Sequence, residues 1–229
     1  MQKNLPNHIA IIPDGNRRWA RSKNLPTIEG HRRGFNAIFK LVKYSHKIGI
    51  KCVTLWMFST ENWNRDKYEV DYLMNLALKR LAKIGKDLVK DQIRFVHLGR
   101  KDRIPKELAE TLTKIENETK NFTEFTLNVA LDYGGRDELV TAVKQIVKKG
   151  LKYKDITEDI IKEQLYTSTT PDPDLIIRTS GEQRLSGFLP WQSTYSELYF
   201  AKFHCPEFTV SKLDFILKDF EGRSRRFGK

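Results

Sequence analysis

The chain has 229 residues, 39% of them hydrophobic. That is the size of one domain whose core needs neither a disulfide nor a metal staple. Forty-one Lys+Arg against 29 Asp+Glu give a formal charge of +12, a surplus that asks for an anion: nucleic acid, an anionic membrane surface or a small polyphosphate. A mean hydropathy of −0.54 and the shortness of every apolar run exclude an integral membrane protein. Cys52 and Cys205 lie too far apart to form a ligand-spaced pair, which excludes a disulfide framework and a cysteine zinc site. With no apolar leader near Met1, the expected setting is reducing and cytoplasmic.

Short apolar runs alternate with helix-period segments along the whole chain. Ile9-Ala10-Ile11-Ile12 reads as a buried strand, stopped by the turn residues Pro13-Asp14-Gly15-Asn16. Phe35, Ile38, Phe39 and Val42 recur at helical spacing, and Gly49 ends that helix. Cys52 to Phe58 is a second strand. A long helix follows, with Val70, Leu73, Ala77, Leu81, Ile84 and Leu88 on one face. Phe95 to Leu98 is strand-like, and Pro105 opens a helix carrying Leu108, Leu112 and Ile115. Phe125 to Leu131 is another strand, and Leu139, Val143, Ile146 and Val147 form the next helical stripe. Thr157 has the chemistry of an N-cap. Leu175 to Ile177 and Leu198 to Phe200 complete the strands, before a last helix from about Ser211 to Phe220. Strand and helix alternate, so the expected class is a single α/β domain over residues 1–229 with a mostly parallel sheet flanked by helices.

Open α/β sheets hold their ligands beyond the carboxyl ends of the strands. After the first strand stand Asp14, Gly15, Asn16, Arg17, Arg18 and Trp19, where a helix begins. Backbone N–H groups and guanidinium forks there suit a phosphate, and one carboxylate with substrate phosphates suits Mg2+. An ordinary turn with solvated arginines is the alternative. After the second strand come Ser59, Thr60, Glu61, Asn62, Trp63 and Arg65, which read either as a phosphate-positioning set or as a helix cap with a packed tryptophan. Arg178, Arg184 and Ser186 follow the fifth strand and suit an anion clamp. There is no Walker lysine and no G-x-G-x-x-G after a strand. Glu197 is a lone carboxylate against an apolar strand, so it meets either water or a cation. His31 could bind phosphate or donate a proton, or could simply cap a helix.

Taken together these residues resemble the cis-prenyltransferase family, most closely the bacterial undecaprenyl diphosphate synthases. The similarity runs from His8 to Gly228. It includes Asp14-Gly15-Asn16 with Arg18-Trp19, Gly30-His31, Phe58 to Trp63, Tyr133 to Arg136, Asp174 to Glu182 with Arg184 and Ser186, Glu197 to Phe200, and the ending Arg226-Phe227-Gly228. The resemblance implies a six-stranded parallel sheet, a homodimer, a requirement for Mg2+ and a hydrophobic tunnel between sheet and helices. The activity it implies is repeated condensation of isopentenyl diphosphate onto an allylic diphosphate such as farnesyl diphosphate, to a product such as undecaprenyl diphosphate, a lipid-carrier precursor for cell-wall synthesis.

The resemblance also assigns roles. Asp14 would be the metal-linked catalytic carboxylate and Glu197 a second metal ligand. Gly15, Asn16, Arg17, Arg18 and Trp19, with His31, would hold the allylic substrate. Ser59, Thr60, Glu61, Asn62, Trp63 and Arg65 would lie around its reacting end, Asn62 being catalytic. Arg178, Arg184 and Ser186 would bind the isopentenyl diphosphate, joined by Arg226 and Gly228 from a partner subunit. The chain departs from the family pattern in four places. Thr27 stands where many relatives carry Arg, leaving Lys23, Arg32 or Arg33 to supply charge. Met57 is bulkier than the usual small residue and would narrow the tunnel. Asp132 replaces Asn, and Gln183 replaces a metal-approaching His.

Two other readings use the same residues. A non-catalytic prenyltransferase-like partner subunit would have lost Asp14 or the arginines, yet all stand here. A nucleic-acid-binding protein accounts for the charge but finds no zinc-finger or RNP-like pattern, so no nucleic-acid partner is expected. Peripheral contact with an anionic membrane, where a long product leaves, remains compatible with the exposed lysines.

Overall fold

The computed structural model describes residues 5–223. Six parallel strands form one sheet: β1 His8–Ile12, β2 Cys52–Ser59, β3 Ile93–Leu98, β4 Phe125–Tyr133, β5 Leu175–Arg178 and β6 Glu197–Phe200, in the order β3-β4-β2-β1-β5-β6. The helices are α1 Asn16–Ser22, α2 Thr27–Lys47, α3 Lys67–Lys90, α4 Lys106–Thr119, α5 Gly135–Lys148, α6 Glu158–Gln164 and α7 Val210–Glu221. The expected α/β class and parallel sheet are thus borne out. Central strands are apolar almost throughout because both faces are covered.

The element ends follow local chemistry. Asp66 caps α3 by accepting the Tyr68 and Glu69 N–H groups, and Thr157 caps α6 as its sequence suggested. Pro105 precedes α4 as its cap residue. Gly15 takes a φ of +90° at the entry to α1, a conformation that a side chain would strain, and a Cβ there would also meet Ser180 Oγ at 2.5 Å.

One stripe is placed differently from its periodicity. On α5 the buried residues include Glu138, Ala142 and Ile146, while Val143 and Val147 are 56% and 71% exposed. Glu138 fixes this phase. Its carboxylate accepts Tyr133 Oη–H at 2.6 Å, Gln192 Nε2–H at 3.1 Å and the Tyr166 N–H at 2.9 Å. A satisfied buried carboxylate has taken the face that aliphatic spacing gave to valine.

The topology supplies the site. The connection leaving β1 leads to β2 on one side, and that leaving β5 leads to β6 on the other. The crevice between β1 and β5 is therefore a switch point, and Ile12 pairs there with Arg178. A second such crevice separates β2, whose connection runs outward to β3, from β4, whose connection returns toward β5.

Toward the other end of the strands lies a buried polar chain. Asn128 Nδ2–H donates to Thr54 Oγ1 at 2.9 Å, and the Thr54 hydroxyl faces His8 Nε2 at 2.7 Å. Because the Pro171 carbonyl only accepts, His8 Nδ1–H is the donor to it, at 2.7 Å, and the Thr54 hydroxyl donates to Nε2. Burial pushes the His8 pKa down to about 4, against the opposing pull of the Pro171 carbonyl and the Asp174 charge. The folded imidazole stays neutral while the unfolded one takes a proton below its ordinary value. Stability from this group is therefore full above about pH 6.5 and is lost as pH falls toward about 4, by on the order of 3 kcal/mol. The urea midpoint is expected to drop between pH 7 and pH 5, and His8→Gln, less stable at pH 7, is expected to lose less over that interval. Equal losses would exclude His8 as the source.

Candidate functional site

Asp14 and Arg178 meet across the β1–β5 crevice. Arg178 Nη2–H donates to Asp14 Oδ2 at 2.9 Å, and its Nη1–H reaches Ser186 Oγ at 2.9 Å and the Arg184 carbonyl at 2.5 Å. Arg178 is 6% exposed, and its Nε is buried without a partner among the described residues. A buried guanidinium N–H left unpaired beside a cavity is a donor waiting for an anion.

Asp14 Oδ1 accepts the Gly15 N–H at 2.6 Å and lies 3.2 Å from Arg18 Nη2. Burial pushes the Asp14 pKa up, but Arg178, the Gly15 N–H and Arg18 outweigh it, so the carboxyl is held below its usual range and stays ionised. Among the described residues no cluster of three metal-binding side chains occurs. An ionised carboxylate beside a buried guanidinium at a cavity fits Mg2+, which takes one or two carboxylates and completes its shell with substrate phosphates and water.

Glu182 joins the two flanking loops: Arg18 donates to Oε1 at 2.7 Å and Arg184 to Oε2 at 2.5 Å. Glu69, at the start of α3, does the same on the opposite side. It accepts Arg65 Nη1–H at 3.0 Å and lies 3.7 Å from Arg17 Nη1 and 3.4 Å from His31 Nε2. Burial pushes His31 down to about 4, opposed by Glu69 and reinforced by Arg65 and Arg17. Burial therefore favours the neutral imidazole in the ligand-free site. Glu69 carries no motif of its own; only a carboxylate four residues after Arg65, at helix spacing, hints at it.

The pair opens onto a cavity of about 790 Å3. Asp14, Asn16, His31, Ser59, Glu61, Asn62, Arg65, Arg178 and Ser186 line its polar part, so residues from three strand ends are brought together as the sequence suggested. Phe35 and Ile38 of α2, Leu73, Met74 and Ala77 of α3, and Met57, Phe58 and Leu131 line its apolar part. Trp56 and Met57 both face it although they are consecutive, because the β2–β4 register shifts between Trp56 and Phe58. Asn62 Oδ1 accepts the Ser59 N–H at 3.2 Å, which folds the 3₁₀ turn Thr60–Asn64 back on itself.

Several expected residues stand elsewhere. Trp19 is buried beneath Arg33, whose guanidinium lies 5.2 Å from the ring centre, and does not line the cavity. Arg32 and Arg33 do not replace the arginine absent at Thr27: both donate to Glu29 on their own helix, at 2.6–2.7 Å, and hold its carboxyl down at about 2. Glu197 opens β6, level with Leu175 and hence with Ile9, so it stands at the far end of the strands from Asp14. Its carboxylate takes Arg223 Nη1–H at 3.0 Å. Arg226 and Gly228 lie outside the described residues.

Known proteins give the same picture. A family model described as "Putative undecaprenyl diphosphate synthase" matches residues 12–228. The chain is 46% identical to an isoprenyl transferase of Fusobacterium nucleatum over 100% of this chain and 98% of that protein. It is 47% identical to one of Aquifex pyrophilus, with the same coverage. Among solved structures, lavandulyl diphosphate synthase from Lavandula x intermedia, in complex with dimethylallyl diphosphate, superposes with a TM-score of 0.94 at 37% identity, covering 98% of this chain and 99% of that one. A "probable undecaprenyl diphosphate synthase" from Campylobacter jejuni gives 0.82 at 31% identity, covering 99% and 100%.

Proposed function

The chain belongs to the undecaprenyl diphosphate synthase family of prenyltransferases, and from that membership we propose that it condenses isopentenyl diphosphate units onto an allylic diphosphate. The allylic primer is of the farnesyl diphosphate kind and the product a polyprenyl diphosphate such as undecaprenyl diphosphate. One observation carries this reading: a single cavity joins the pair of half-buried Asp14 and buried Arg178 to an apolar wall built from α2, α3 and β2. A diphosphate headgroup and a hydrocarbon tail need those two surfaces in contact.

The chemistry asks for charge at one end and dryness at the other. Ionising the allylic carbon–oxygen bond concentrates negative charge on the leaving diphosphate, and donors already aimed there stabilise it as it forms. Asn16, with Arg17 and Arg18 flanking the pocket, would bind that group. Arg178 would hold the diphosphate of the incoming unit through its unpaired Nε–H, with Arg184 and Ser186 beside it. Asp14 would hold Mg2+, which when bound supplies further charge neutralisation at the phosphates. Ser59 and Asn62 would position the reacting carbons, while Phe35, Met57 and Leu73 keep water from the carbocation-like carbon. The new bond forms between the allylic carbon and the terminal alkene carbon of isopentenyl diphosphate. A proton is then lost to the released diphosphate, and the chain grows by one unit.

Within one chain Glu197 stands away from Asp14, so a role at the ion requires it to come from a second subunit. A homodimer is supported by the exposed apolar residues Val140, Val143 and Val147 of α5 and Tyr195 before β6. No helix of the described residues is long and apolar enough to cross a membrane. Lys79, Lys83, Lys86 and Lys90 lie exposed along α3, a helix that also lines the cavity, which supports peripheral contact with an anionic bilayer at product release.

The purified protein is expected to incorporate labelled isopentenyl diphosphate into extractable lipid only with Mg2+ and an allylic primer. Asp14→Ala should lower turnover by roughly a hundredfold or more while the far-ultraviolet spectrum stays native; full turnover by the folded variant would contradict the mechanism. Met57→Ala widens the apolar wall and is expected to shift the product distribution toward longer chains on thin-layer separation. An unchanged distribution would remove Met57 as a length determinant.

A further inference from the structure

We propose that Asp132 and Arg103 are a positioning pair that seats Trp63, and with it the turn carrying Ser59 and Asn62, over the allylic substrate. The proposal rests on the prenyltransferase reading for the substrate's identity, and on geometry for the seating itself. Asp132 is the penultimate residue of β4, beside Tyr133, which pairs with Ser59 at the start of that turn; it is 0% exposed and has a φ of +53°, which Asp and Asn tolerate better than other residues with a side chain. Trp63 Nε1–H donates to Asp132 Oδ1 at 2.7 Å. Arg103 Nε–H donates to Oδ2 at 2.9 Å, and its Nη2–H donates to Oδ1.

Three N–H donors therefore converge on one side chain. An amide would meet one of them with its own NH2 group, whereas a carboxylate accepts all three. That accounts for Asp at the position where the family pattern has Asn. Arg103, about one-third exposed, supplies the charge that makes a buried carboxylate tolerable. A second contact fixes the same turn: a Cβ on Gly134 would fall 2.3 Å from Thr60 Oγ1, so the turn is docked on the glycine that follows Tyr133. The Trp63 ring also meets Phe58 edge-on, at 5.1 Å between ring centres. Ser59, Glu61 and Asn62, which line the cavity, are thereby held from the end of β4 and not by their own short turn alone.

Loss of Arg103 removes two of the three N–H donors and the contacting countercharge from the buried Asp132 carboxylate, which then gains by moving toward water and loosens the Trp63 seat. The test uses full-length protein labelled with 5-fluorotryptophan, with Trp63→Phe assigning one of its four resonances. In Arg103→Met and Asp132→Asn the Trp63 resonance is expected to shift and broaden. The kcat/KM for the allylic diphosphate should fall about tenfold or more, with the KM for isopentenyl diphosphate unchanged. Arg103→Lys, which keeps the charge, should recover part of both signals; Lys no better than Met would mean a packing role only and would overturn the proposal. An unmoved resonance with unchanged kcat/KM in folded Arg103→Met and Asp132→Asn would overturn it as well. If the parent enzyme transfers no prenyl group, the functional reading falls, and the resonance alone still decides the seating.

Discussion

The pairing of Arg178 with Asp14 is the interaction on which the rest of the site depends. Two strands that are neighbours in the sheet but distant in sequence each end in one charge, and their register sets Ile12 beside Arg178. Removing Asp14 would leave the Arg178 charge buried without its carboxylate, whereas Asp14 itself is partly exposed and also meets Arg18. The pair also sets protonation, since the Asp14 carboxyl is kept ionised against the effect of its burial. The remaining anchors face this centre: Ser186 and the Arg184 carbonyl orient the guanidinium, and Glu182 ties Arg18 to Arg184.

Around that centre the chain separates two environments. The β1–β5 crevice holds the charges, and the β2–β4 crevice, bounded by α2 and α3, is apolar. A parallel sheet with both faces covered makes this possible, because its carboxyl ends gather several loops at one edge. The register shift in β2 turns both Trp56 and Met57 toward the same space. The opposite end of the sheet carries a satisfied polar chain through His8, Thr54 and Asn128, away from the cavity.

What the sequence made legible was local. Apolar runs located the strands, the Asp14-Gly15-Asn16 turn located the first strand end, and of the arginines after Leu175 one, Arg178, meets Asp14 at the cavity. What it did not show was non-local pairing. Glu69 gathers Arg17, His31 and Arg65 from three elements, and nothing in its immediate neighbours announces that. Glu197 reads as a metal carboxylate by motif, yet within the chain it is paired with Arg223. Arg32 and Arg33 look free by position, but Glu29 lies one helical turn away and takes both. On α5 the aliphatic spacing favoured Val143 and Val147, and the buried network of Glu138, Tyr133 and Gln192 overrode it.

We propose that the diphosphate of isopentenyl diphosphate binds the pre-oriented, buried Arg178 guanidinium, whose Nε–H has no partner among the described residues. Calorimetric titration of isopentenyl diphosphate into the parent protein and into Arg178→Lys tests it directly. A lysine keeps the charge but cannot reproduce the fork that reaches Asp14, Ser186 and the ligand together. The expected result is at least a tenfold loss of affinity in a folded Arg178→Lys protein, about 1.4 kcal/mol. Equal affinity in the two proteins would contradict the account.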